Sequence, residues 1–133
     1  MGALLVVAGL ATGAPAHAGP DENKLLVGSF YKDVFAARNA DAAAKYLRPD
    51  YIQHNPHVAT GLAGFQSYFS KAWKGPAPAN WGVEMLHLVA EKDMVVAHVR
   101  WLGPGDDGKP SARTAFDLYR VEDGKLAEHW DAN

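Results

Sequence analysis

Cysteine is absent from the 133 residues, which excludes a disulfide framework, a thiol nucleophile and a zinc–thiolate site together. Lys and Arg number 13 against 15 Asp and Glu, for a formal net charge of −2, and the basic residues form no cluster. A surface for neutralising phosphates is therefore missing, and nucleic acid is excluded as a partner. No apolar run reaches the length of about 20 residues that a bilayer span requires. Ala3 to Ala11 is an uncharged apolar run, and Ala16-His17-Ala18 before Gly19 has the small-x-small pattern of a signal-peptidase site. Only Met1 and Gly2 precede that run, so the basic segment of a secretory leader is lacking. The expected organisation is a leader over residues 1–18 and one domain over 19–133. The expected location is periplasmic or secreted, without membrane association once the leader is removed, or cytoplasmic if the leader does not function.

What is present is a globular composition, 48% hydrophobic and 21% charged, at a length suited to a single core. Pro20-Asp21 is a helix start, and Leu26, Phe30 and Val34 recur at i, i+4, i+8. Asp41 is expected to cap a second helix from Ala42 to Leu47, stopped by Pro49. Tyr51 to Pro56 reads as a short strand, and Thr60 is expected to cap a third helix, Gly61 to Trp73. The period then becomes strand-like over Trp81 to Ala90, Met94 to Leu102, Arg113 to Val121 and Lys125 to Asp131. Helices followed by an antiparallel meander predict an α+β fold. With the helices on one face of a bent sheet, the product is a cone whose mouth suits a small molecule.

The last nineteen residues, Ala115 to Asn133, read as a hairpin around the loop Glu122-Asp123-Gly124. If Val121 and Lys125 close that loop, Asp117 faces His129 and Ala115 faces Asp131. Side chains alternate along strands, so Asp117, His129 and Asp131 share one sheet face. An imidazole between two carboxylates handles protons. The other face carries Phe116, Leu118, Leu126 and Trp130, with Arg120 and Glu128 diagonal to one another and able to pair. Trp101 and Trp130 are expected on an outer face where two copies could meet. Arg100 is expected to pair with Glu84 across neighbouring strands. Tyr51, Gln53 and Asn55 share one face of their strand, with Ile52 and His54 on the other. With no cysteine and no helical histidine pair, no metal is expected.

Three segments carry a resemblance: Tyr51-Ile52-Gln53-His54-Asn55-Pro56 followed by Gly61, then Phe116 to Arg120, then Asp123 to Asp131. Together they resemble the SnoaL-like polyketide cyclase family. The likeness is to its branch of aldol-condensation enzymes, in the nuclear transport factor 2-like superfamily, and it runs from about Lys24 to Asp131. The resemblance implies a cone of mixed, largely antiparallel sheet closed by three N-terminal helices, and a homodimer. It also implies catalysis by side chains alone, with neither metal nor organic cofactor.

In cyclases of this type the acid/base is an Asp on the last strand, and Asp131 matches it. Asp117 matches a second pocket Asp of the related ketosteroid isomerases. Where those isomerases keep their proton-abstracting Asp, this chain has Asn55, and an amide cannot take a proton. Steroid isomerisation is therefore not expected, and a base must come from Asp131, His129 or His54. The implied function is cofactor-free acid/base chemistry of aldol-condensation, cyclase or isomerase type on a hydrophobic carbonyl compound. Asp131 is then the base, Asp117 orients His129, and His129 or a protonated carboxyl donates to the developing oxyanion. The resemblance sets His54 at the cavity mouth, and Tyr51, Gln53 and Asn55 beside the substrate. The alternative, supported by the leader, is an exported, non-catalytic binder of a small hydrophobic ligand.

Overall fold

The computed structural model describes residues 18–132. The expected leader therefore lies, apart from Ala18, outside the described residues. Helix α1 spans Pro20–Phe30, with Pro at its start and Asp21 and Glu22 in the first turn, where the helix dipole favours acids. It runs on without a break into a wider π-helical stretch, Tyr31–Ala36. This segment ends at Arg38, whose φ of 50° is left-handed, with the Asn39 amide donating back to the Val34 carbonyl.

The second expected helix is a 3-10 turn, Asp41–Lys45, so two α-helices are present among the described residues rather than three. Asp41 does not cap it. The Asn39 side-chain oxygen accepts the Ala42 amide instead.

Strand β1 covers Leu47–Gln53, earlier than expected, and α2 covers Leu62–Ala72. Pro49 is tolerated in β1 because this strand is at the sheet edge and its register shifts between Leu47 and Ile52. Thr60 does not cap α2. Its hydroxyl accepts the Gln53 amide, while the Gly61 amide donates to the Tyr51 carbonyl and Gly61 takes a φ of 89°. The segment after β1 is thus folded back onto it. Strands β2 (Gly82–Glu91), β3 (Met94–Pro104), β4 (Pro110–Glu122) and β5 (Lys125–Ala132) follow.

The five strands form one curved, unclosed sheet in the order β1-β5-β4-β3-β2. β1 runs parallel to β5, and the remaining neighbours are antiparallel. α1 packs on β2 and β3, and α2 on β1. Val95, Ala97, Val99, Tyr119 and Leu126 face the helices and are buried. Phe30 is fully buried among Phe35, Tyr46, Phe65 and Tyr119, mostly edge to face. Burying a side chain of this size contributes about 1.5–3 kcal/mol.

The β4–β5 hairpin differs from its expected register in two places. Its loop has two residues, Asp123 and Gly124, both at positive φ (52° and 71°), and Glu122 pairs with Lys125. A bulge then separates the Val121–Leu126 pair from the Arg120–Glu128 pair. Each change moves the register by one residue, and together they move it by two. Asp117 consequently faces Asp131, and His129 faces Tyr119. Because the total shift is even, Asp117, His129 and Asp131 still share a face, as expected. Leu126 lies before the bulge and turns inward to the core instead of joining Phe116 outside. Arg100 pairs with Glu84 at 3.0 Å, as expected.

Gly124→Ala should destabilise the fold by about 1 kcal/mol, because an L side chain is strained at φ 71° although nothing crowds the site. Urea denaturation checks this, and an unchanged midpoint would contradict the turn geometry.

Candidate active site in the sheet concavity

The concave face of the sheet and the first helical segment enclose a cavity of about 230 Å³. Its apolar wall is aromatic, with Phe35, Phe65, Phe69 and Trp101 prominent. Its polar groups come from four places: Tyr31 from the π-helical stretch, Tyr51 and Gln53 from β1, Asn55 just beyond, and Asp117, His129 and Asp131 from the hairpin.

Asp117 and His129 are both buried. His129 Nε2 lies 2.9 Å from Asp117 Oδ1, and its Nδ1 lies 2.7 Å from Gln53 Oε1. The same Gln53 oxygen accepts the Asn55 backbone amide at 3.0 Å, which identifies it as oxygen and not nitrogen. His129 Nδ1 must therefore carry a proton and donate to it. One further proton lies between His129 Nε2 and Asp117 Oδ1, and the pair is neutral overall whichever atom holds it. On its other oxygen Asp117 accepts the Tyr31 hydroxyl at 2.5 Å, and Tyr31 in turn accepts the Tyr119 hydroxyl at 3.1 Å. Every member of this buried chain is hydrogen-bonded, the condition under which such a network is tolerable in a core.

Burial pushes the Tyr31 hydroxyl well above the usual phenol range, and the neighbouring Asp117 charge adds to this. Burial also raises Tyr119 and Tyr51, and in Tyr51 the charges of Asp117 and Asp131 contribute further. All three phenols keep their protons at neutral pH. Asp131 is half-buried, and its Oδ2 accepts the Asn55 side-chain amide. Asn55 thus holds Asp131 in place from just beyond the end of β1. Asp117, His129 and Asp131 each offer a ligand atom within 4.8 Å of the others, the one such group among the described residues. Binding a cation there would require the Asp117–His129 hydrogen bond to open.

Six of the seven expected site residues line this cavity. His54 does not. Its Nε2 lies 2.8 Å from Glu128 Oε1 and its ring stacks on Trp130, 4.9 Å away and 7° from parallel, on the outer face of the sheet. The alternation of β1 continues past its last residue, Gln53, so Gln53 and Asn55 point inward to His129 and Asp131 and His54 points outward to Glu128. Trp101 is also opposite to expectation: it lines the cavity beside Tyr31 and Phe35. Sequence reasoning missed Tyr31, Tyr119 and Arg113. Tyr31 and Phe35 are spaced i, i+4 beside the Phe30 stripe, a second apolar row that signalled them; for Arg113 no signal existed beyond strand alternation with Asp117.

The sequence profile of the SnoaL-like domain matches residues 27–129. The chain belongs to the SnoaL-like domain family. Comparison with curated protein sequences finds no match. Among solved structures, TsrD from Streptomyces laurentii is similar at 23% identity and TM-score 0.72, over 86% of this chain and 90% of that one. A protein named as a polyketide cyclase from Acidithiobacillus ferrooxidans has 21% identity and TM-score 0.70, over 84% and 87%. AclR from Streptomyces galilaeus, named as a hydroxylase, has 19% identity and TM-score 0.69, over 86% and 90%. These likenesses carry the nuclear transport factor 2-like fold for this SnoaL-like chain.

Outside the cavity, Glu128 bridges His54 and Arg120, the latter at 3.0 Å. The His54 hydrogen bond, followed by Arg120, holds the Glu128 carboxyl below its ordinary value of 4.5. A depressed folded pKa means that the stabilisation is present above the unfolded value and is lost as pH falls through the folded one. The gap in Tm between the wild type and Glu128→Gln should therefore be full at neutral pH and close as pH is lowered below 4.5. A gap that widened in acid would contradict the arrangement.

Proposed function

We propose that this SnoaL-like chain is an enzyme that moves a proton on a small hydrophobic carbonyl compound, by aldol-condensation, cyclase or isomerase chemistry carried by side chains alone. The observation behind this reading is the Asp131 carboxylate in an aromatic cavity, beside an Asp117–His129 pair that is already internally satisfied. Asp131 takes the proton from the carbon next to the carbonyl, and the electron pair moves onto the oxygen as an enolate. In an aldol closure the enolate carbon attacks a second carbonyl, and the resulting alkoxide takes up the proton that Asp131 held.

The enolate oxygen needs a donor. Both His129 nitrogens face Gln53 and Asp117, and the Tyr31 and Tyr119 hydroxyls donate within the buried chain. Tyr51, kept protonated and set against Asp117 and Asp131, is assigned that role. Asp117 is a positioning residue that fixes His129, and through Gln53 the wall next to Asp131. Fold neighbours named as polyketide cyclases support the reaction class.

The reading includes a homodimer through the outer sheet face. There Phe116 is 50% exposed and stacks on His98, and Trp130 lies under His54.

Asp131→Asn should reduce deuterium uptake next to the carbonyl of 2-tetralone in D2O by about 10² to 10⁴, with an unchanged circular dichroism spectrum. Uptake equal to that of the wild type would remove Asp131 as base. Size-exclusion chromatography with light scattering should give twice the 14.3 kDa chain mass, and a monomer at micromolar concentration would remove the dimer.

A further inference from the structure

Of the arginines, Arg48, Arg100 and Arg120 pair with carboxylates, and Arg38 lies over the Trp81 ring and donates to the Gly75 carbonyl. Arg113 differs. Among the described residues no carboxylate pairs with it, although it lines the cavity. It also lines a second hollow of about 500 Å³ that extends past Trp81 and Trp101 to Asp106 and Ser111. Arg113 and the two indoles thus stand where the inner cavity meets the outer hollow.

Arg113, Ala115 and Asp117 succeed one another on the concave face of β4, and Trp101 is the ladder partner of Arg113. Four residues of strand set Arg113 about 13 Å from Asp117 along the backbone. Ala115, between them, has only a methyl group, so that face is open from the guanidinium to the proton-handling cluster. A guanidinium beside indoles is suited to receive a carboxylate through two parallel hydrogen bonds. The inner end of the cavity, with the Asp131 carboxylate beside a neutral Asp117–His129 pair, disfavours an anion. An acidic ligand can therefore lie in one direction only, with its charge outward.

The geometry points to a substrate with two ends: an uncharged carbonyl-bearing ring in the inner cavity, and a carboxylate held by Arg113 at the mouth beside Trp81 and Trp101. This deepens the function proposed above and rests on the cavity being its binding site. Arg113 then fixes which carbon reaches Asp131, because the anionic end cannot enter first.

Isothermal titration with 4-benzoylbutyrate and its uncharged amide tests this. The wild type should bind the acid about tenfold or more tightly than the amide. Arg113→Gln should abolish that preference by weakening the acid far more than the amide, and added salt should weaken binding of the acid more than that of the amide. Equal binding of acid and amide by the wild type, a preference that persists in Arg113→Gln, or binding of neither would each overturn the proposal. Proton exchange on 2-tetralone without any acid preference would remove the anion site and leave the proton chemistry standing.

Discussion

The site depends on the register of the terminal hairpin. Asp117 and His129 are buried polar groups, and each is tolerable only because the other is within hydrogen-bonding distance. That distance is set by a two-residue turn at Asp123-Gly124 and a bulge between Arg120 and Val121. A slip by one residue would turn His129 to the outer face and Glu128 inward. Two carboxylates would then be buried on the concave side with no imidazole between them, and Arg120 would lose Glu128 and keep only Glu122 outside. The outer Arg120–Glu128–His54 cluster and the inner Asp117–His129–Gln53 cluster are therefore two consequences of one register, and each opposes its loss.

The helices complete this arrangement. The π-helical stretch after α1 brings Tyr31 against Asp117 while Phe35 packs on Trp101 and Phe69. Asp117 is thus satisfied from the helical layer as well as from the sheet, which ties the two layers with a polar link through an aromatic core. The fold-back after β1 performs the same service at the other wall. Thr60 accepts the Gln53 backbone amide, and the Gln53 side-chain oxygen bridges His129 and the Asn55 backbone amide. Rigidity of this kind is what a proton-transfer site needs, since misplacing a catalytic group by about 1 Å can cost 10²-fold in rate.

Chemistry is divided along the length of β4. Near the turn the inward side chains of the strand, Tyr119 and Val121, are buried in the core, in its middle it supplies Asp117, and toward its other end it carries Arg113 into a wider hollow. On the proposed reading, Arg113 at the mouth and Asp131 within set the direction in which an acidic ligand lies.

Residue patterns alone were enough for the α+β class, the strands β2 to β5 within a few residues, the shared face of Asp117, His129 and Asp131, and the Arg100–Glu84 pair. Local periodicity is enough for each of these, because side-chain alternation is a property of the backbone. It did not determine the hairpin register, where the compact Asp-Gly turn and a bulge each shifted pairing by one, and only their even sum preserved the face. Nor did it place His54, Trp101, Tyr31 or Arg113. Their positions follow from how β1 joins β5 in parallel, how the π-helical stretch rotates its side chains, and how far the sheet curves. Those are consequences of packing between segments distant in sequence, and it is that packing which settles which of the polar residues meet.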